Sequence, residues 1–89
     1  MSDFSDRLIR DTYFALVAAN AARAVALAST ARAHAANDND EDQAVIDAAL
    51  VKAYHDSEIS NAADKTVNQL SAALAACARI DLLDAAEGR

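Results

Sequence analysis

From Ile59 onward the apolar positions fall at steps of three and four: Ile59, Ala63, Val67, Leu70, Leu74, Cys77 and Ile80. That spacing draws one stripe along an α-helix. Ile46, Ala49, Leu50 and Ala53 draw a similar stripe just before it. The two do not join smoothly across His55, Asp56, Ser57 and Glu58. A kink or break over 55–60, with Ser57 or Ser60 capping a new helix, is the alternative to one continuous helix. Neither glycine nor proline stands at the junction, so the continuous or mildly kinked helix is preferred.

The clearest punctuation is Asn37, Asp38, Asn39 and Asp40. Asn and Asp tolerate turn conformations and bond their own backbone, so 37–40 reads as a loop. Asp40 and Gln43 have capping-box spacing, and Glu41 and Asp42 fall where a helix dipole favours negative charge. Ser2, Asp3 or Ser5 can cap the first helix. The pattern therefore predicts a single all-α domain over 1–89. Helix 1 covers about 5–36, and helix 2 covers about 41–87.

Chain geometry favours an antiparallel hairpin. With one turn near Asp38, facing residues have numbers summing to ~77, because paired antiparallel helices run back from their loop in step. Phe4, Leu8, Ile9, Tyr13, Phe14, Leu16 and Val17 then lie opposite residues 60–73, large against large. The second helix outruns the first, ~70 Å against ~48 Å at 1.5 Å per residue. The expected overhang carries Leu74, Cys77, Ile80, Leu82 and Leu83. Burying a Leu or Ile stabilises by ~1.5–3 kcal/mol, so a second copy is expected to cover this surface. Two hairpins then form a four-helix bundle, with Leu70, Leu74, Cys77, Ile80 and Leu83 as the oligomer interface.

Composition supports the all-helical reading. Alanine, the best helix former, supplies more than a quarter of the chain; proline is absent and the one glycine is Gly88. At 89 residues the chain has a small core of its own. Cys77 is the only cysteine, so no disulfide forms within one chain, and a reducing cytoplasm is the expected setting. Tyr13–Ala31 includes Asn20 and Arg23 and is mostly alanine, so a membrane span is not expected. Asp3, Asp6 and Asp11 against Arg7 and Arg10 deny the start of the chain the positive region of a secretory leader.

The net charge of −6 is uneven: +1 up to Ala36 and −7 after it. Clustered Lys and Arg are lacking, so direct nucleic-acid binding is not expected. Tyr54 combines ring area with a polar tip. With Asp56, Glu58 and the acids Asp38, Asp40, Glu41 and Asp42, it marks the expected contact with a protein partner.

Catalytic and cofactor chemistry is not expected. Asp38, Asp40 and Asp42 imitate the start of a calcium loop, but Gln43 and Ala49 stand where it needs Gly and Glu. His34 and His55 lack helical metal spacing to a Glu or Cys. Cys77 sits on the apolar stripe, away from any base. The leading reading is a homo-oligomeric helical adaptor, regulator or assembly component acting through protein–protein contact. One alternative is an acidic inhibitor of the phage type that fills a basic nucleic-acid-binding groove. Another is a small subunit of a larger complex.

Overall fold

A computed structural model describes residues 3–88. Helix α1 spans Asp3–Asp38 and helix α2 spans Gln43–Ala86. The two run antiparallel as a hairpin 69 Å long and 16 × 14 Å across. α2 passes through His55 to Glu58 without a break. Ser2, one candidate cap of α1, lies outside the described residues.

The turn is built differently from the expected capping box. The Glu41 N–H donates to the Ala36 carbonyl at 3.1 Å, and the Asp40 N–H donates to the Asn37 carbonyl at 3.2 Å. These two bonds form a Schellman motif, which satisfies the last carbonyls of α1. Its closing residue is Asp40, at φ 51, in the left-handed region. Asp40 thus ends α1 and cannot cap α2. That place falls to Asp42, whose side chain makes no capping bond, while its carbonyl accepts from the Val45 and Ile46 N–H groups. The Gln43 amide donates to Asp47 at 2.8 Å rather than reaching back to Asp40.

Burial follows a strict seven-residue repeat. On α1 the buried positions are Ser5, Leu8, Thr12, Ala19, Ala26, Ser29, Ala33 and Ala36, and half-buried Ala15 and Ala22 complete the alternation of three and four. On α2 the same alternation runs Ile46, Ala49, Ala53, Asp56, Ser60, Ala63, Val67, Leu70, Leu74 and Cys77. A sustained heptad of this kind is the seam of a coiled coil. Nine of these twenty members are alanine and four are serine or threonine; Leu8, Ile46, Asp56, Val67, Leu70, Leu74 and Cys77 make up the rest. Small side chains let two helices approach toward ~8 Å between axes.

This seam corrects the expected register. Facing residues sum to about 82, as in Ala36 with Ile46, Ala19 with Ala63 and Leu8 with Leu74. The cross-helix bonds of Ser29 to Asp56 and Arg23 to Asp64 fit that register within a turn. The shift arises because α1 continues two residues further than expected and the turn centres after Asn39. Of the bulky residues expected to pack inside, only Leu8 is buried, whereas Phe4, Ile9, Tyr13, Phe14, Leu16 and Val17 are exposed. Ile59 and Ile80, expected on the inner stripe of α2, are also exposed. The overhang is shorter as well. α2 has 44 residues and α1 has 36, a difference of roughly 12 Å at 1.5 Å per residue.

Candidate interaction surface

Two ties cross the seam near its loop half. Asp56, expected to be an exposed partner contact, is buried. The Ser29 hydroxyl donates to Asp56 Oδ2, and Lys52 Nζ donates to the same oxygen at 2.9 Å. These two donors hold the Asp56 carboxyl below its ordinary range, against the opposing effect of burial. Closer to the turn, Arg32 forks onto Glu41, with Nη1 to Oε2 at 2.7 Å and Nη2 to Oε1 at 3.2 Å. Bonding to Arg32 lowers the Glu41 carboxyl. Asp38, Asp40 and Asp42 remain exposed beside it and make the tip acidic.

Tyr54 and Glu58 are exposed as the sequence suggested. The phenol is held protonated above its usual range, first by its hydrogen bond to Glu58 and then by that carboxylate's charge. Of the residues assigned to the oligomer interface, Leu70, Leu74 and Cys77 are half-buried in the seam. In this register Leu74 and Cys77 face Leu8 and Ser5, so they are not overhang residues. Ile80, Leu82 and Leu83 are 57%, 70% and 62% exposed. The seam positions beyond the end of α1 are Asp81 and Asp84. The overhang therefore keeps its inner edge acidic and presents its apolar residues to the side.

On either side of the seam the hairpin has a flank with its own chemistry. One groove is lined by Val25, Ala28, Arg32, Ala49 and Lys52, and its continuation by Val45 and Ala48. The opposite groove is lined by Leu16, Asn20, Arg23, Asp64 and Asn68, and nearer the turn by Thr30, His34 and Leu50. Arg23 and Asp64 pair across this second groove at 3.2 Å. The first groove is mostly aliphatic with Arg32 and Lys52 at its edge, and the second mixes amides and hydroxyls with Leu16 and Leu50. Sequence reading missed this division because it placed Phe14, Leu16 and Ile59 together in the interior.

The surface as a whole is larger than such a chain needs. It measures 6393 Å² for 9.3 kDa. A compact monomer of that mass exposes about 5,000 Å² by the usual scaling, which leaves an excess of about 1,400 Å². No large side chain among the described residues is fully buried.

Two further properties bear on partners. By length and hydropathy α1 is apolar enough to cross a membrane, contrary to the sequence expectation. The difference lies in alanine, which hydropathy scores as apolar although its methyl offers little area to the hydrophobic effect. Among the described residues no group of three His, Cys, Asp or Glu is placed to hold a metal ion.

Seam, turn and antiparallel pairing define the class as an alanine-seamed, two-helix antiparallel coiled coil. Comparison with protein-family models, curated proteins and solved structures gives no match.

Proposed function

We propose that this chain is a non-catalytic helical interaction module that self-associates, two hairpins forming a four-helix bundle that serves as an adaptor, regulator or assembly component for a protein partner. The observation that carries this reading is the inverted distribution of side chains. Alanine, serine and threonine hold most of the seam, with Leu8, Ile46, Val67, Leu70 and Leu74 its only large apolar members, while Phe4, Phe14, Val25, Ile59, Ile80 and Leu83 face outward. Contiguous exposed apolar surface marks an interaction site. A standard interface removes about 800 Å² from each partner, which the excess surface more than covers.

The non-catalytic reading rests on what the perturbed groups do. Asp56 is held by Ser29 and Lys52 inside the seam. Cys77 is half-buried in the same seam. Lone Cys77 agrees with work in a reducing cytoplasm. The membrane is not the partner preferred here, because the flank bearing Arg23, Asp64, Asn20 and Asn68 is costly to place in lipid.

Sedimentation equilibrium at micromolar concentration tests the reading. A mass of two chains, with reversible dissociation on dilution, is expected. A compact 9.3 kDa monomer throughout would overturn it.

The acidic tip favours a second reading, an inhibitor that occupies a basic nucleic-acid-binding groove. Asp38, Asp40, Glu41 and Asp42 gather there, with only Glu41 bonded to a cation. Affinity for such a target should fall steeply with salt. Equal affinity at low and high salt would dispose of that reading.

A further inference from the structure

We infer that the hairpin has a second register one heptad away, and that the contact of Ser29 with Asp56 is the key that holds the chain out of it. Only the two helices of one copy are involved, so self-association is not required.

The turn carries the chemistry for both registers. As built, α1 closes on Asp40 in the left-handed region at φ 51, and α2 opens on Asp42, whose side chain makes no capping bond. Shortening α1 by three residues and lengthening α2 by four moves the closing place to Asn37 and the opening place to Asp38. Asn follows Gly among the residues that take the left-handed closing place. Asp38 as N-cap has Glu41 three residues on, which is capping-box spacing, and Asp40 and Glu41 then fall in the first turn of the helix. The alternative turn thus has the side-chain capping that the observed one lacks. The two adjustments together amount to one repeat of the seam.

A slide of one repeat carries seam layers onto seam layers. Facing numbers then sum to about 75, since a heptad is the period of the seam. Thr12 pairs with Ala63, Ala22 with Ala53 and Ala26 with Ala49, so small still meets small, and Leu8 moves from Leu74 to Val67. Asp56 breaks the equivalence. In the observed register it lies opposite Ala26, and Ser29, one turn along, donates to it. After the slide it lies opposite Ala19, and the residue one turn along is Ala22, which has no hydroxyl. Lys52 travels with Asp56 on the same helix and does not distinguish the registers. The pair of Arg23 and Asp64 is exposed and contributes little to the choice. A single buried polar contact is a well-attested way of fixing register in a coiled coil.

The slide alters the far end of a 69 Å rod. Leu74 and Cys77, which face Leu8 and Ser5, pass beyond Asp3, where α1 begins, and lose their cover. The fold is a sliding switch. Turn chemistry favours one position, and the Ser29 hydroxyl together with the cover of Leu74 favours the other.

Moving the hydroxyl by one repeat is the test. Ser29→Ala with Ala22→Ser takes the donor from the observed register and gives it to the slid one, at unchanged composition. A hydrogen bond to a charged group is worth at least about tenfold in an equilibrium, so the ratio of registers shifts by at least about a hundredfold. Spin labels at Leu27→Cys and Ala75→Cys, both exposed sites, report the position in a Cys77→Ala background. Labelled chain is diluted into excess unlabelled chain, so that only separations within one copy are read. The two sites stand about 30 Å apart along the axis in the observed register and about 40 Å apart after the slide. The background chain should give the shorter separation and the double variant the longer one, with helicity by circular dichroism unchanged. Asp56→Ala, which removes the key, should give both. The shorter separation alone in Asp56→Ala overturns the second register. Both separations there, with a folded double variant left at the shorter one, overturn Ser29 as the partner that selects. The longer separation already in the background chain overturns the Ser29 and Asp56 contact as the key.

Discussion

Replacing Ala19 with Leu puts three extra carbons into the tightest part of the seam. Ala19 is 2% exposed, and in the register described it faces Ala63, another small residue. Neither neighbour along the seam offers room, since Ala15 and Ala22 are also small and at least half-buried. The helices must separate locally, or the new side chain must leave its preferred rotamer. Overpacking of this kind costs about 1–3 kcal/mol. For a chain of this size each kcal/mol shifts the melting midpoint by about 4–8 °C, so a fall of about 5–20 °C is expected. The assay is thermal denaturation followed at 222 nm. Wild type and variant are compared at equal chain concentration, because association raises the midpoint by mass action. Ala24→Leu is the control, an exposed position on the outer face of the same helix. It should leave the midpoint within about 0.5 kcal/mol of wild type, as surface substitutions do. An Ala19→Leu chain melting at or above wild type would refute the close-approach seam.

Asp40→Gly should stabilise the hairpin by about 0.5–1 kcal/mol, because relief of the left-handed strain at φ 51 outweighs the added freedom of the unfolded chain; urea titration reads this, and a lower midpoint denaturant concentration would count against the turn. Leu8→Ala should cost about 2–3 kcal/mol, the low end for buried leucine, as it lies near the open end. Leu27→Ala, at 66% exposed, should cost less than about 0.5 kcal/mol in the same denaturation series. Asp56 and Glu41 are both held below their ordinary range. Their contribution is therefore present above the unfolded carboxylate value of about 4 and is lost as pH falls through the depressed folded values. Thermal midpoints recorded from pH 6 to pH 2 should decline below about pH 4, and Asp56→Asn should flatten that decline.

The all-helical hairpin was legible because it depends on what the chain lacks, namely glycine and proline within its body, and on the Asn and Asp cluster at 37–40. The faces were not. Apolar periodicity assumes that the inner stripe is the greasiest one, yet here Ser5, Thr12, Ser29, Asp56 and Ser60 are buried and Phe4, Ile59 and Ile80 are not. Alanine stands on every face, so it gives no contrast by which to orient a helix. The apparent break between the stripes at Asp56 is the place where the seam turns polar while the helix continues. Asp40 was read as opening α2 because capping-box spacing is local, whereas its role in closing α1 depends on a left-handed backbone that any Asn or Asp in the cluster had the chemistry to adopt. Tyr54 and Glu58 were placed correctly at the surface. Asp56, two residues from each, was not, since a two-position step on a helix turns a side chain through about 200°, to the opposite face.

A seam lined by methyl and hydroxyl groups also fixes how the protein responds to temperature. The heat-capacity increment of unfolding tracks newly wetted carbon and is reduced by newly wetted polar atoms. An isolated hairpin therefore falls below the ~12–15 cal/mol/K per residue of ordinary globular domains. Its stability curve is shallow, with little tendency to unfold in the cold, and its urea dependence is gentle for its length. Steeper curvature appears only when the outward-facing phenylalanine, valine and isoleucine side chains are themselves covered, so calorimetry registers company as a change in slope.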